Sequence, residues 1–247
     1  ISLLNTDEVA RHRNHLEEAE RVLGHSLHYV NKVHTVLRSA YELATAPTLV
    51  NQVEEILGPD ILLYDATYII KEPGSSKFVS FHQDLTYWGF DGTEQVSAWL
   101  ALSPATPESG CMRMIPGSHQ QGLKEQVIGE DKDNVLHLSQ TIEDVNEDDA
   151  IFSTLRPGEF SLHHGWTIHS SGPNRSTDRR IGLNIQYISP RLKQTKSDSD
   201  SAMLIRGNDP FGHFIDDAPA TEWLPENAKA LLRERTEAKS AITGTPN

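Results

Sequence analysis

The chain has 247 residues, of which 37% are hydrophobic and 23% charged, so its composition is that of an ordinary globular protein with room for one large core. Its formal net charge of −13 disfavours DNA, RNA and anionic membrane surfaces as partners, and the sequence contains no run of apolar residues long enough to span a membrane. A single cysteine, Cys111, excludes an internal disulfide and predicts a reducing, cytoplasmic location.

The first 58 residues are predicted to be mostly helical. Asn5 and Glu8 have the spacing of a capping box, so a first helix is predicted from there to residue 23. Apolar periodicity predicts two further helices, over residues 36–43 and 48–57, and it places Ile56 on the buried face of the second. These helices are expected to flank the core of the protein.

Strand-like patterns dominate from about residue 59 to residue 190. Over residues 61–71 the side chains alternate between two faces, as they do along a β-strand. Further short strands are predicted over residues 78–84, 95–102, 111–115, 158–164 and 180–189. Many short strands, with helices collected at one end of the sequence, predict a mainly β fold: an antiparallel sandwich or barrel with flanking helices.

Residues 191–247 are predicted to form a C-terminal loop followed by a helix. The polar stretch 193–201 is typical of a mobile surface loop. The helix is predicted over residues 222–239, with Pro225 in its first turn. Together with the two preceding parts, this predicts a single domain over residues 1–247.

His82 and Asp84 are a candidate pair of metal ligands. On a strand, residues two apart project to the same side, so this imidazole and this carboxylate would share a face. Together they would supply two thirds of a facial metal site. Taken alone, such a pair is more often a solvated or hydrogen-bonded contact than a metal site, so the interpretation depends on a third ligand.

A third candidate ligand, His169, lies far along the chain and is followed by Arg180 at the start of a predicted strand. Two histidines and one carboxylate on one side of a ferrous ion leave three positions open, as in oxygen-activating iron enzymes. 2-Oxoglutarate could chelate two of these positions, and its far carboxylate would need a planar, permanent cation such as Arg180. Trp99 could wall this pocket, although a core position is the more frequent role of a tryptophan.

Three motifs occur in order: His82-Gln83-Asp84, Pro116-Gly117-Ser118-His119, and the stretch from His169 to Arg180, in which the arginine comes eleven residues after the histidine. With these motifs the chain resembles the phytanoyl-CoA dioxygenase family over about residues 56–189. The resemblance implies a double-stranded β-helix, or jelly-roll, core. It also implies Fe(II) as the metal, 2-oxoglutarate as the cosubstrate and O₂ as the oxidant.

The same resemblance implies roles for individual residues. The implied iron ligands are His82, Asp84 and His169. The implied cosubstrate contacts are Arg180 with Ser171 at the distal carboxylate, Trp99 near the cosubstrate, and Lys71 at a position where some members place a polar contact.

The implied reaction hydroxylates a C–H bond of a small-molecule metabolite and releases succinate and CO₂. Relatives that halogenate replace the metal-binding carboxylate with a small residue, so the presence of Asp84 favours hydroxylation or desaturation. Arg113 or Arg179 could meet an anionic group of the substrate, although an exposed salt bridge is the commoner role for such arginines. Neither the identity of the substrate nor the oligomeric state is predicted.

Alternative ligands stay open at this point. His163 or His164 could replace His169, although only the register of His169 places Ser171 where the motif requires it. His119 follows a tight turn and is expected to close a loop by hydrogen bonding.

Two alternative functions also stay open. One is a non-catalytic jelly-roll module that keeps a metal for structure. The other is a cupin-like metalloenzyme that does not use 2-oxoglutarate, for which Arg180 would be incidental.

Overall fold

Two β-sheets form the centre of the computed structural model, which describes residues 1–136 and 139–243. The strands are β1 (Ile61–Lys71), β2 (Val79–His82), β3 (Gln95–Ala101), β4 (Met112–Met114), β5 (Ile151–Phe152), β6 (Phe160–His163), β7 (His169–Ser171), β8 (Arg180–Ile188), β9 (Ser201–Arg206) and β10 (Ile215–Asp216). The larger sheet has the order β10-β9-β1-β8-β3-β6, and the smaller sheet has the order β2-β7-β4-β5. Strands β1 to β8 are thus divided between the two sheets in the interleaved order of a jelly roll, which confirms the predicted fold class.

The alternating pattern of β1 is interrupted by a β-bulge. The pairing of β1 with β8 changes register between Leu63 and Asp65, so one extra residue is inserted there. Before the bulge, the odd-numbered Leu63 packs in the main core. After the bulge, the even-numbered Ala66 and Tyr68 pack there instead. The prediction of one unbroken alternation over residues 61–71 was therefore wrong. The bulge leaves Asp65, Thr67, Ile69 and Lys71 on the side of the sheet away from that core.

The N-terminal helices pack against the larger sheet. Helix α1 (Thr6–Leu23) begins at the predicted capping box, in which the Asn5 side chain accepts from the Glu8 N–H and the Glu8 carboxylate accepts from the Asn5 N–H. Helices α2 (Arg38–Ala44) and α3 (Pro47–Leu57) lie within one or two residues of the predicted ranges. Ile56 is 56% exposed, contrary to prediction, because it lies in the last turn of α3, next to the exit of the chain at Gly58.

The C-terminal segment differs from prediction in two places. Helix α5 spans Ala228–Thr243, so Pro225 precedes it, and the Pro225 carbonyl accepts from the Ala228 N–H. The segment 193–201 is held by buried contacts: Gln194 donates to the Asp200 carboxylate at 2.9 Å, and Tyr64 donates to the same carboxylate at 2.6 Å. The second difference arises because tertiary contacts override the local preference of a polar stretch for solvent.

Strand β8 separates the core from the interior of the jelly roll. Its residues Ile181, Leu183, Ile185 and Tyr187 are fully buried in the cluster formed with the helices. Residues Arg180, Gly182, Asn184 and Gln186 alternate with them and therefore point to the other side, between the sheets. None of the helices in the described residues combines the length and the apolar character needed to cross a lipid bilayer.

Candidate active site

His82, Asp84 and His169 converge at one end of the jelly roll. His82 ends β2 and lies directly opposite His169, which begins β7, so that the centroids of the two imidazole rings are 4.1 Å apart. The Nε2 atoms of His82 and His169 lie 3.3 Å and 3.7 Å from Oδ1 of Asp84. One potential ligand atom of each residue lies within 4.8 Å of the others, which is the spacing of a metal-binding set.

Asp84 reaches this position by a route other than the predicted one. Strand β2 ends at His82, and Asp84 has helical dihedral angles (φ −61°, ψ −44°) at the start of a short helix, α4 (Leu85–Trp88). The argument from a shared strand face was therefore wrong, although its conclusion holds. The residue between the ligands fixes the turn, because the fully buried Gln83 amide donates to the carbonyls of Gly122 and Trp166.

The hydrogen bonds of the two imidazoles leave the correct nitrogens available for a metal. Nδ1 of His82 donates to the Ser80 carbonyl, and Nδ1 of His169 donates to the Thr167 carbonyl, both at 2.9 Å. Because Nδ1 carries the proton in each ring, Nε2 keeps its lone pair on the side that faces Asp84. Two neutral imidazole nitrogens and one carboxylate oxygen are a donor set that fits a ferrous ion.

The electrostatics of the three side chains also suit a cation. Burial by itself would raise the pKa of the Asp84 carboxyl, but the surrounding imidazoles of His169, His163 and His82 hold that pKa well below its usual value. Burial and the neighbouring His82 lower the pKa of His169 to about 3. At neutral pH the site therefore presents a carboxylate and a neutral imidazole instead of an imidazolium that would repel a metal.

The alternative histidines have different environments. Nε2 of His164 donates to the Thr93 carbonyl, and Nδ1 of the same ring accepts from the Trp166 N–H, so both nitrogens are in use. His119 is exposed, with its ring 5.7 Å from that of His164, and the loop is closed instead by Ser118, whose hydroxyl donates to the Ile115 carbonyl. His163 lies beside Asp84, where its Nε2 is 3.8 Å from Oδ2.

Arg180 lies on the inner face of β8 and is 1% exposed. Its Nη1 donates to the Gly110 carbonyl at 2.9 Å, and its guanidinium lies 5.2 Å from the centre of the Trp99 ring. Among residues 1–136 and 139–243, the Nε and Nη2 atoms have no hydrogen-bond partner, and no carboxylate forms an ion pair with this arginine. Burial lowers the pKa of Arg180 to about 10, so the group is still charged at neutral pH. Two unpaired donors on a buried guanidinium fit the carboxylate of a ligand.

Two glycine residues leave the space that Arg180 and its contacts require. A Cβ at Gly182 would lie 1.9 Å from the Trp99 ring, so the absence of a side chain lets the indole lie flat against β8. Gly110 has a φ of +73°, and a Cβ there would lie 2.3 Å from the Gly172 carbonyl oxygen. Only glycine therefore allows this loop to bring its carbonyl to Arg180.

Lys71 lies next to Arg180 but contacts the neighbouring loop. The two residues are paired across β1 and β8, and Nζ of Lys71 donates to Oγ of Ser171 at 2.7 Å and also to the carbonyls of Ser171 and Gly172. Burial and the nearby Arg180 lower the pKa of Lys71 to about 6. The amine thus fixes Ser171 at the wall of the site.

A cavity of about 90 Å³ lies among these groups. The predicted site residues that line it are His82, Asp84, His169, Trp99, Ser171 and Arg180. Residues that line it without having been predicted as site residues are Tyr29, Ile69, Val79, Met112, Ser170 and Asn184, and His163, which was considered as an alternative ligand, lines it as well. Strand periodicity could have identified Asn184 from Arg180 and Ile69 from Lys71. Tyr29 has a φ of +57°, which nothing in the local sequence indicates.

The two arginines considered for an anionic substrate are engaged elsewhere. Arg113 forms an ion pair with Glu147 at 3.0 Å and lies over the Phe81 ring. Arg179 forms ion pairs with Glu20 at 2.8 Å and with Glu72 at 2.9 Å.

Comparison with known proteins identifies similar sequences and folds. The family model of phytanoyl-CoA dioxygenase (PhyH) matches residues 4–182. Phytanoyl-CoA dioxygenase 1 of Oryza sativa subsp. japonica is 35% identical over 121 residues, which cover 49% of this chain and 42% of that protein. The 1-deoxypentalenic acid 11-beta-hydroxylase of Streptomyces arenae is 27% identical over 214 residues, covering 83% of this chain and 68% of that protein. The chain spans less than half the length of the first of these relatives.

Two solved structures extend the comparison to the whole fold. The apo form of the non-heme monooxygenase ThoJ superimposes with a TM-score of 0.85 at 27% identity, covering 99% of this chain and 94% of ThoJ. CytC3 with Fe(II) and alpha-ketoglutarate superimposes with a TM-score of 0.65, covering 92% of this chain and 91% of CytC3; at 19% identity that likeness shows the fold.

Proposed function

This chain belongs to the phytanoyl-CoA dioxygenase family, and on that basis we propose that it is an Fe(II)- and 2-oxoglutarate-dependent oxygenase that hydroxylates a C–H bond of a small-molecule metabolite. The observation that carries the proposal is the pair of unpaired guanidinium donors of Arg180 beside the set of His82, Asp84 and His169. The metal set alone would fit many enzymes, whereas a buried, unpaired arginine next to it calls for an anionic cosubstrate.

In this proposal each side chain has a defined role. His82, Asp84 and His169 hold the ferrous ion, which together with 2-oxoglutarate supplies the activation of O₂ when bound. Arg180 holds the distal carboxylate of the cosubstrate, Ser171 assists it, and Trp99 supports the guanidinium from one side. Lys71 acts through Ser171, to which it is hydrogen-bonded. Burial of His82 and His169 would limit the access of solvent to the metal, and the carboxylate of Asp84 would occupy the position that a halogenating relative leaves free for chloride.

The two alternative functions receive less support. A structural metal site or a cupin-like enzyme without 2-oxoglutarate has no use for a buried guanidinium with two unpaired donors, because such donors cost stability unless a ligand pairs with them. An anionic substrate is a separate hypothesis. It would need a cation other than Arg113 and Arg179, since both are already paired with carboxylates.

The proposal is tested by anaerobic titration of the Fe(II)-loaded protein with 2-oxoglutarate, followed by visible absorption. A weak charge-transfer band should appear in the wild type and be absent in His169→Ala, which removes one of the two imidazole ligands. Arg180→Lys should keep the metal but bind 2-oxoglutarate roughly 10- to 150-fold more weakly, which corresponds to a lost charge-assisted hydrogen bond of about 1.5–3 kcal/mol. Arg113→Lys, at a half-buried arginine paired with Glu147, is the matched control and should bind like the wild type.

Measurement of succinate release during turnover then identifies the substrate and the reaction. Succinate release should depend on one member of a panel of small molecules and on O₂. A wild-type protein that binds Fe(II) but gives no band with 2-oxoglutarate, or an Arg180→Lys variant with wild-type affinity, would rule the proposal out in favour of the cupin-like alternative.

A further inference from the structure

His163 is a buried histidine of the cavity to which the metal set assigns no role. It ends β6, its side chain is 3% exposed, and it lies in the wall shared with Asp84 and His169. In the part of the chain that the structure describes, neither ring nitrogen has a hydrogen-bond partner. A buried imidazole without a partner is costly, so its position needs a physical reason.

The two oxygens of Asp84 face different groups. Oδ1 lies 3.3 Å from Nε2 of His82 and 3.7 Å from Nε2 of His169, so it is the oxygen that points toward the metal position. Oδ2 lies on the other side, 3.8 Å from Nε2 of His163. Metal binding through Oδ1 would leave Oδ2 as a buried acceptor, and His163 is the imidazole that faces it.

We propose that His163 is a positioning residue, which donates a hydrogen bond from Nε2 to Oδ2 of Asp84 and so keeps this carboxylate monodentate toward the metal. The inference rests on the proposed function, because it assumes that Asp84 is a metal ligand. A small rotation of the ring closes the 3.8 Å separation to hydrogen-bond distance once Oδ1 is drawn to the metal.

The number of metal positions that Asp84 occupies determines how many stay open for 2-oxoglutarate and O₂. Two imidazoles and one carboxylate oxygen leave three positions of an octahedral ion free, two for 2-oxoglutarate and one for O₂. A bidentate Asp84 would take one of these positions. Outer hydrogen bonds of this kind orient metal-binding carboxylates in proteins generally.

The strand geometry holds His163 in place. His163 pairs with Ser97 of β3, and its ring lies 5.2 Å from that of His169, tilted by 57°. Because the backbone of β6 is part of the larger sheet, the backbone of His163 is held by the scaffold independently of the metal.

The test compares His163→Leu, which removes the donor, with His163→Gln, whose amide can donate from a similar position. Metal affinity of the metal-free protein is measured with Mn(II), by the electron paramagnetic resonance signal of the free ion. His163→Leu should bind Mn(II) about 10- to 100-fold more weakly, the usual effect of losing an outer hydrogen bond to a ligand, and His163→Gln should recover most of that affinity. The visible absorption of the Co(II)-loaded protein, which reports coordination number, should change in the first variant and return in the second.

His164→Asn is the matched control, since it alters the next imidazole along the chain and retains an acceptor for the Trp166 N–H. It should bind Mn(II) like the wild type. The proposal fails if His163→Leu keeps wild-type metal affinity and Co(II) spectrum, which would make His163 a substrate contact, or if His163→Gln loses as much as His163→Leu. Absence of Mn(II) binding by the wild type would instead contradict the proposed function.

Discussion

Gly182 and Trp99 show how one residue without a side chain shapes the cosubstrate pocket. The indole lies across β8 at the place where a Cβ on Gly182 would stand, and the Arg180 guanidinium lies over the same ring. The position of Arg180 thus depends on the packing of Trp99 against Gly182, which contains no charge and no hydrogen bond, as well as on its own hydrogen bond to the Gly110 carbonyl.

Gly182→Ala is expected to weaken 2-oxoglutarate binding although it removes no polar group. The added methyl group would stand 1.9 Å from the Trp99 ring, so the indole must leave its present position beside Arg180. Overpacking of this kind costs about 1–3 kcal/mol of stability. Isothermal titration calorimetry of the Mn(II)-loaded variant should show the reduced affinity, with unchanged metal binding.

Gly172→Ala provides the comparison, because a Cβ at Gly172 meets nothing within 4 Å. Equal effects of the two substitutions would show that the Trp99 contact does not support Arg180.

Helix α1 is joined by ion pairs to the segment that leads into the candidate active site. Arg13 donates to both carboxylate oxygens of Asp178 at 2.7 Å, and Arg179 pairs with Glu20 of the same helix at 2.8 Å. Both contacts hold the segment that immediately precedes Arg180. A helix outside the jelly roll therefore helps to set the start of β8.

Glu20 makes this connection dependent on pH. Burial alone would raise its pKa, but hydrogen bonds from Arg179, the Leu27 N–H and Ser26 leave the pKa below its ordinary value of 4.5. A carboxyl with a lowered pKa contributes stability that is present above about pH 4.5 and is lost as the pH falls through the lower, folded-state pKa.

Glu20→Gln should accordingly melt a few degrees below the wild type at pH 7, and the difference should shrink as the pH falls below 4.5. Thermal unfolding followed by circular dichroism between pH 3 and 8 would measure it. Glu55→Gln, at an exposed position of α3, should show no such difference at pH 7. A deficit for Glu20→Gln that stays constant across the pH range would contradict the ion-pair explanation.

At the scale of the whole molecule, a buried ion pair joins the N-terminal and C-terminal parts of the chain. Nζ of Lys32 lies 2.7 Å from Asp217, with side chains only 5% and 2% exposed, and it also donates to the Ser201 carbonyl. The N–H of the same residue donates to Asp65 of β1 at 2.6 Å. These contacts support our proposal that residues 1–247 behave as one domain.

Lys32→Met should destabilise the protein by about 3–5 kcal/mol, because it removes the cation that is hydrogen-bonded to the buried Asp217. Urea unfolding should show one transition at a lower midpoint. The double variant Lys32→Met/Asp217→Leu should regain part of the loss, since neither charge then remains buried alone. Two separate transitions in the wild type would contradict the single domain, and an unchanged midpoint in Lys32→Met would contradict the role of the ion pair.

Features that depend only on residues close together in the sequence were determined by the sequence alone. The capping box of α1, the two faces of β8 and the spacing from His169 to Arg180 were predicted, because hydrogen bonds and side-chain directions along one element follow from local geometry. Only the tertiary structure revealed the bulge in β1 and the buried contacts of segment 193–201, since each depends on partners distant in sequence. The same reason explains why Tyr29 was missed and why the environment of His163 was not foreseen: whether a polar atom is buried without a partner is a property of the packed molecule.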